Sequence, residues 1–126
     1  MQKPICFIST AEHVKQQMEL YESILPNTKI TQIEYYPDFP DRVLNGQMDI
    51  NGLTVYFLEM GAENPVTIGW NINLYCKMNS VEEFDRIFEE LSKGGTIMMG
   101  PQAIENFIKV VWFTDIYGLT WQFSVE

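Results

Sequence analysis

The sequence predicts an α+β fold in which two βαβββ modules pair, their eight strands forming a cup-shaped mixed sheet with two main helices outside. Three observations predict it. Two capped amphipathic helical stripes stand in matching places among short apolar strands. The order strand, helix, strand, strand, strand occurs twice, at an offset of about seventy residues, with negligible identity between the copies. Each small sheet carries a helix on one face and needs cover on the other, which the second copy supplies. The 126 residues make a single domain, with one module over 1–61 and the other over 66–126.

The elements follow in order. Ile5 to Ile8 is an apolar strand, and Ser9-Thr10-Ala11-Glu12 has the form of a capping box. Val14, Met18, Tyr21 and Leu25 are spaced by four, three and four, one helical stripe that Pro26 and Asn27 end. Lys29 to Tyr36 is a strand, and Pro37-Asp38-Phe39-Pro40-Asp41 reads as a mobile loop. Val43 to Ile50 and Leu53 to Met60 are joined by Asn51-Gly52, a strong hairpin signal because both residues tolerate positive φ. Gly61 to Pro65 is a linker. The second copy starts with a strand over Ile68 to Cys76 and a second capping box, Ser80-Val81-Glu82-Glu83. Val81, Phe84, Ile87, Phe88 and Leu91 form its helical stripe, ended by Gly94-Gly95. Thr96 to Met99 is a strand, Gly100-Pro101 a turn, and Asn106 to Phe113 the next strand. Asp115 to Gly118 is turn chemistry. In Leu119 to Val125, Leu119, Trp121, Phe123 and Val125 point to the core, while Thr120, Gln122 and Ser124 point the other way.

Composition removes several classes of function. Eight Lys and Arg against seventeen Asp and Glu give a net charge of −9, which disfavours nucleic acid and anionic membranes. No apolar run reaches the length of a membrane span. The N-terminus lacks the basic-then-apolar build of a signal peptide, so a cytoplasmic location is the expectation. Cys6 and Cys76 lie far apart in apolar strand contexts and read as buried free thiols.

The run Asp115-Ile116-Tyr117-Gly118-Leu119-Thr120-Trp121-Gln122 is similar to the terminal signature of the PhnB-like, or 3-demethylubiquinone-9 3-methyltransferase-like, branch of the vicinal oxygen chelate (VOC) superfamily. That superfamily includes glyoxalase I, bleomycin-resistance proteins and extradiol dioxygenases. Leu20-Tyr21, the Asn51-Gly52 hairpin and the stretch from Tyr75-Cys76 to Phe84 support the resemblance, which spans essentially the whole chain. It implies the glyoxalase/VOC fold and a homodimer.

The superfamily's metal enzymes place one ligand on the first and fourth strands of each module. Carried over by position, this pattern falls on Cys6, on Tyr56 or Phe57 with Glu59 nearby, on Asn71 and on Gln122. Such a set suits a divalent ion poorly, so no cofactor is expected, with Glu59 and Gln122 the only weak candidates for a metal. As pocket lining the positions make better sense. Cys6, Tyr56, Asn71, Asn73, Tyr75, Trp112, Thr120 and Gln122 combine aromatic area with neutral hydrogen-bonding groups, as a small-molecule site requires. The expected function is small-molecule binding without the usual metal set. The alternatives are a metal-dependent lyase, isomerase or dioxygenase, and a drug-sequestering resistance protein. No Gly-rich loop opens a helix after a strand to supply a nucleotide-type site.

Overall fold

A computed structural model describes residues 1–67 and 69–126. The chain divides into two compact units, with the boundary after Thr67. The first contains β1 (Cys6–Thr10), α1 (Val14–Ile24), β2 (Thr28–Tyr36), β3 (Phe39–Ile50) and β4 (Leu53–Glu59). The second contains β5 (Leu74–Lys77), α2 (Val81–Leu91), β6 (Thr96–Ile104), β7 (Phe107–Thr114) and β8 (Thr120–Val125). Each has one four-stranded mixed sheet, ordered β1-β4-β3-β2 in the first and β5-β8-β7-β6 in the second. In both, the first and fourth strands run parallel and the other pairs antiparallel. The repeat seen as a pattern in the sequence is therefore a repeat of topology.

In the first unit α1 covers one face of the sheet through Val14, Met18 and Tyr21, all fully buried. Tyr21 meets Phe57 with ring centres 6.4 Å apart. Gly46 permits this approach, because a Cβ there would lie 2.6 Å from Met18 Sδ. The β3–β4 hairpin turns through Asn51 and Gly52, both at positive φ, with Gly52 N–H donating to Asp49 Oδ1 at 2.6 Å. The expected mobile loop at 37–41 is instead a two-residue turn, Pro37-Asp38, with Phe39 already in β3. Arg42 holds this end together, its guanidinium 4.1 Å from the centre of the Phe39 ring and 5.7 Å from that of Tyr36.

The start of α1 corrects the sequence reading. Ser9 and Thr10 belong to β1, and the N-cap is His13, in the left-handed conformation and with no side-chain cap. The missing acceptor comes from β4. Buried Glu59 takes the N–H of Val14 at 3.3 Å and that of Val43 at 3.3 Å through one oxygen. A carboxylate forty-five residues away in sequence thus does the work of a local cap, favoured by the positive end of the helix dipole.

In the second unit the Ser80 cap forms as expected, with Glu83 reaching the residue before it. Ser80 Oγ accepts from Glu83 N–H at 3.1 Å, while the Glu83 carboxylate takes the N–H of Asn79 at 2.9 Å. Phe84, Ile87 and Leu91 are buried against the sheet. The core is an aromatic cluster of Phe84, Phe88, Phe113, Trp121 and Phe123, meeting edge to face at 5.2 to 6.2 Å, apart from a tilted Phe84–Phe88 pair at 6.1 Å. Such pairs contribute roughly 0.5–1.5 kcal/mol each beyond the area they bury. Two expected boundaries move. Gly100-Pro101 lies inside an irregular β6 that runs to Ile104, where successive register shifts absorb the kink. The strand expected over Ile68–Cys76 begins only at Leu74; Ile68 lies outside the described residues, and 69–73 form no strand.

Candidate functional site

The face of the second sheet turned away from α2 carries the densest grouping of the anticipated residues. Pairing registers set Tyr75 beside Gln122, Gln122 beside Trp112, and Trp112 beside Met99, one continuous row across four strands. The parity of β8 causes this: Trp121 and Phe123 enter the aromatic core, so Thr120, Gln122 and Ser124 must face the other way. The neighbouring polar groups are partly committed. Tyr75 Oη and Ser124 Oγ share a hydrogen bond at 2.7 Å, and Thr120 Oγ1 donates to the Gly69 carbonyl at 3.4 Å. Thr120 and Ser124 are buried, while Gln122 is half-buried. Trp70 stands edge-on to Trp112 with ring centres 6.3 Å apart. The Trp112 Nε1 is buried and has no hydrogen-bond partner among the described residues.

The remaining candidates lie elsewhere. Asn71 and Asn73 sit in the irregular segment before β5, so alternation along a strand no longer orients them. Tyr56 occupies the helix-free face of the first sheet, in a row of Phe7, Tyr56, Gln47 and Gln32 that matches the second sheet's row strand for strand. Cys6 is on the opposite face. It pairs with Val55 and shares the helix side with Ile8 and Phe57, so it lines the core layer rather than the face that carries Tyr56. Burial raises its thiol pKa, and pushes that of Cys76 up to about 11, so neither is a ready thiolate.

A cleft that the sequence did not announce lies at the start of α1 in the first unit. It encloses about 310 Å³ between Glu12, His13, Asp41, Arg42, Glu59 and Gly61. Arg42 is paired there with Glu63 at 3.0 Å. The Glu63 carboxyl is held below its ordinary pKa first by its own backbone N–H, with Arg42 adding to the effect. Nothing in the local sequence marks this place, since its walls come from three separated segments.

A family model described as 3-demethylubiquinone-9 3-methyltransferase matches residues 2–124. The chain belongs to that family. Its fold is that of solved relatives across the full length. A putative 3-demethylubiquinone-9 3-methyltransferase, PhnB protein, from Bacillus cereus is 23% identical with a TM-score of 0.92, covering 99% of this chain and 100% of that one. Protein PA1353 from Pseudomonas aeruginosa is 16% identical with a TM-score of 0.86, covering 100% and 98%. A mutant of the fosfomycin resistance protein FosX from Listeria monocytogenes, solved with Mn(II) and 1S,2S-dihydroxypropylphosphonic acid, is 10% identical with a TM-score of 0.70, covering 98% and 90%. No curated protein matches the chain. The anticipated PhnB-like VOC assignment is thus established for fold and family.

Within this family member, the end of the chain that carried the resemblance acts structurally. Asp115 is 2% exposed. Its Oδ1 accepts the N–H groups of Tyr117 at 2.8 Å and Leu119 at 3.2 Å, and its Oδ2 accepts the Trp121 indole N–H at 2.9 Å. The carboxylate therefore ties the β7–β8 turn to the core tryptophan, which fixes the parity that presents Gln122.

The superfamily's metal-binding positions fare differently. Among them Gln122 and Tyr56 face away from the helices, with an amide and a phenol to offer. Glu59 is occupied by two backbone N–H groups, Cys6 is on the helix side, and Asn71 is off the strand. Among the described residues no three His, Cys, Asp or Glu side chains converge as a metal site. The residues at these positions do not fit a divalent cation.

Proposed function

We propose that this PhnB-like VOC protein binds a small uncharged organic molecule against the helix-free face of its second sheet, without the superfamily's metal set. The observation that supports this most is the row of Tyr75, Gln122 and Trp112 on adjacent strands, an amide between two aromatic rings. Such a face provides apolar area for affinity and a neutral group for orientation. Its cation, Lys77, is paired with Glu126 at 3.3 Å. The reading takes the protein to be a cytoplasmic homodimer, as the sequence and the resemblance imply. Methyl transfer is not part of it. Thr10-Ala11-Glu12-His13 and Met78-Asn79-Ser80 lead into the two helices, and neither stretch has the glycines of a nucleotide-type loop.

A thermal-shift screen of neutral and charged small molecules, run on wild type and Gln122→Ala, tests the reading. Neutral compounds should raise the melting temperature of wild type and lose that effect in the variant, whose own melting temperature should be close to wild type. Hits confined to anions or cations, or hits indifferent to Gln122, would refute it.

A further inference from the structure

The geometry points to Trp112 Nε1–H as the donor that recognises the ligand, which would make that ligand a flat, mainly apolar molecule bearing a carbonyl-type acceptor. This rests on the small-molecule reading of the same face and goes beyond it by naming the group read and the atom that reads it. A buried N–H without an acceptor costs roughly 1–3 kcal/mol, and such groups are uncommon in folded proteins. Trp112 carries one, although Gln122 stands directly beside it in the strand register. Tyr75 is used by Ser124 and Thr120 by the Gly69 carbonyl, while the Gln122 amide is half-buried. The indole N–H is the buried donor of this face left without an acceptor among the described residues.

The surroundings narrow the ligand further. Met99 flanks Trp112 on β6, and the Trp70 ring meets it edge-on. Aromatic and thioether surfaces favour a planar apolar body. A neutral acceptor suits the row, which contains no cation, and Lys77 beside it is exposed and 3.3 Å from Glu126. A carboxylate would lose its hydration there for a single neutral hydrogen bond. A ketone, lactone or amide oxygen on a ring system meets both conditions. Trp70, which supplies that edge, is exposed and lies in the irregular 69–73 segment.

The test follows the three indole N–H resonances of ¹⁵N-labelled full-length protein, assigned with single Trp→Phe variants. The probes are 1-indanone and 1-tetralone, against their hydrocarbon parents indane and tetralin. In the free protein the Trp112 N–H should have the shift of an indole without an acceptor. The ketones should move it downfield and bind more tightly than the hydrocarbons. Trp112→Phe, which removes the N–H together with part of the ring area, should weaken the ketones about 3- to 10-fold more than it weakens the hydrocarbons, as expected for one neutral hydrogen bond. Equal binding of ketones and hydrocarbons would overturn the donor assignment while leaving a small-molecule face. A Trp112 N–H already shifted downfield in the free protein would overturn the assignment as well. If none of the four probes perturbs the face at saturation, both the assignment and the reading beneath it fail.

Discussion

Replacing Asp115 tests whether the hairpin that ends the chain is a structural tie. In Asp115→Ala the N–H groups of Tyr117 and Leu119 and the indole N–H of Trp121 lose this acceptor. The bonds to Leu119 and Trp121 are buried, and that to Tyr117 is partly so. At roughly 1–3 kcal/mol for each buried donor left unsatisfied, the two buried ones put the loss near 4 kcal/mol. That is a large fraction of the roughly 5–15 kcal/mol that holds a small protein folded. Asp115→Asn keeps one oxygen, enough for the two turn N–H groups, but opposes its amide to the indole N–H, so about 1–3 kcal/mol should be lost. Urea unfolding followed by tryptophan fluorescence measures both. The predicted order is wild type, then Asn, then Ala. An alanine variant within about 1 kcal/mol of wild type would refute the structural role.

Three further outcomes follow from the same geometry. Glu59→Ala should cost about 2–4 kcal/mol in urea unfolding by orphaning Val14 and Val43 N–H, and Glu59→Gln should recover most of it; equal stability of all three proteins would return Glu59 to the list of functional carboxylates. Gly46→Ala should destabilise by about 1–3 kcal/mol through contact with Met18, and the loss should shrink in a Met18→Ala background; an unchanged loss there would place the strain elsewhere. Burial raises Cys76 from 9.0 to about 11, so the folded thiol keeps its proton while the unfolded one loses it. Stability contributed below pH 9 should therefore fall between pH 9 and 11, by about 2–3 kcal/mol, and Cys76 should resist alkylation at pH 8 until urea unfolds the protein. Rapid labelling of the folded protein would contradict this.

How much was legible depended on whether the cause was local. The two helical stripes, the Asn51-Gly52 hairpin and the alternation of β8 follow from periodicity and turn chemistry, and they sit where the sequence indicated. The row of Tyr75, Gln122 and Trp112 was half legible: alternation gave the facing of Gln122, but only the register aligned it with its neighbours. What escaped was set at long range. Ser9 matched the spacing of a capping box, yet β1 needed its backbone to pair with β4, and the cap was supplied by Glu59. Cys6 depended on strand parity, so one residue of uncertainty moved it to the opposite face. Asn71 and Asn73 were assigned to a strand that starts three residues after the first of them. The Arg42 cleft joins segments far apart in sequence, and no local pattern could have shown it.

The measurement that tests the central claim most directly is metal retention. Protein purified without a His-tag would be exposed to nickel, zinc, manganese and iron, desalted, and analysed by elemental mass spectrometry. A neutral face of Gln122 between aromatic rings, with Glu59 committed to the helix start, predicts that no metal stays bound in stoichiometric amount. Near-stoichiometric retention of one metal, lost in Gln122→Ala, would contradict the account and turn the face into a metal-dependent VOC centre.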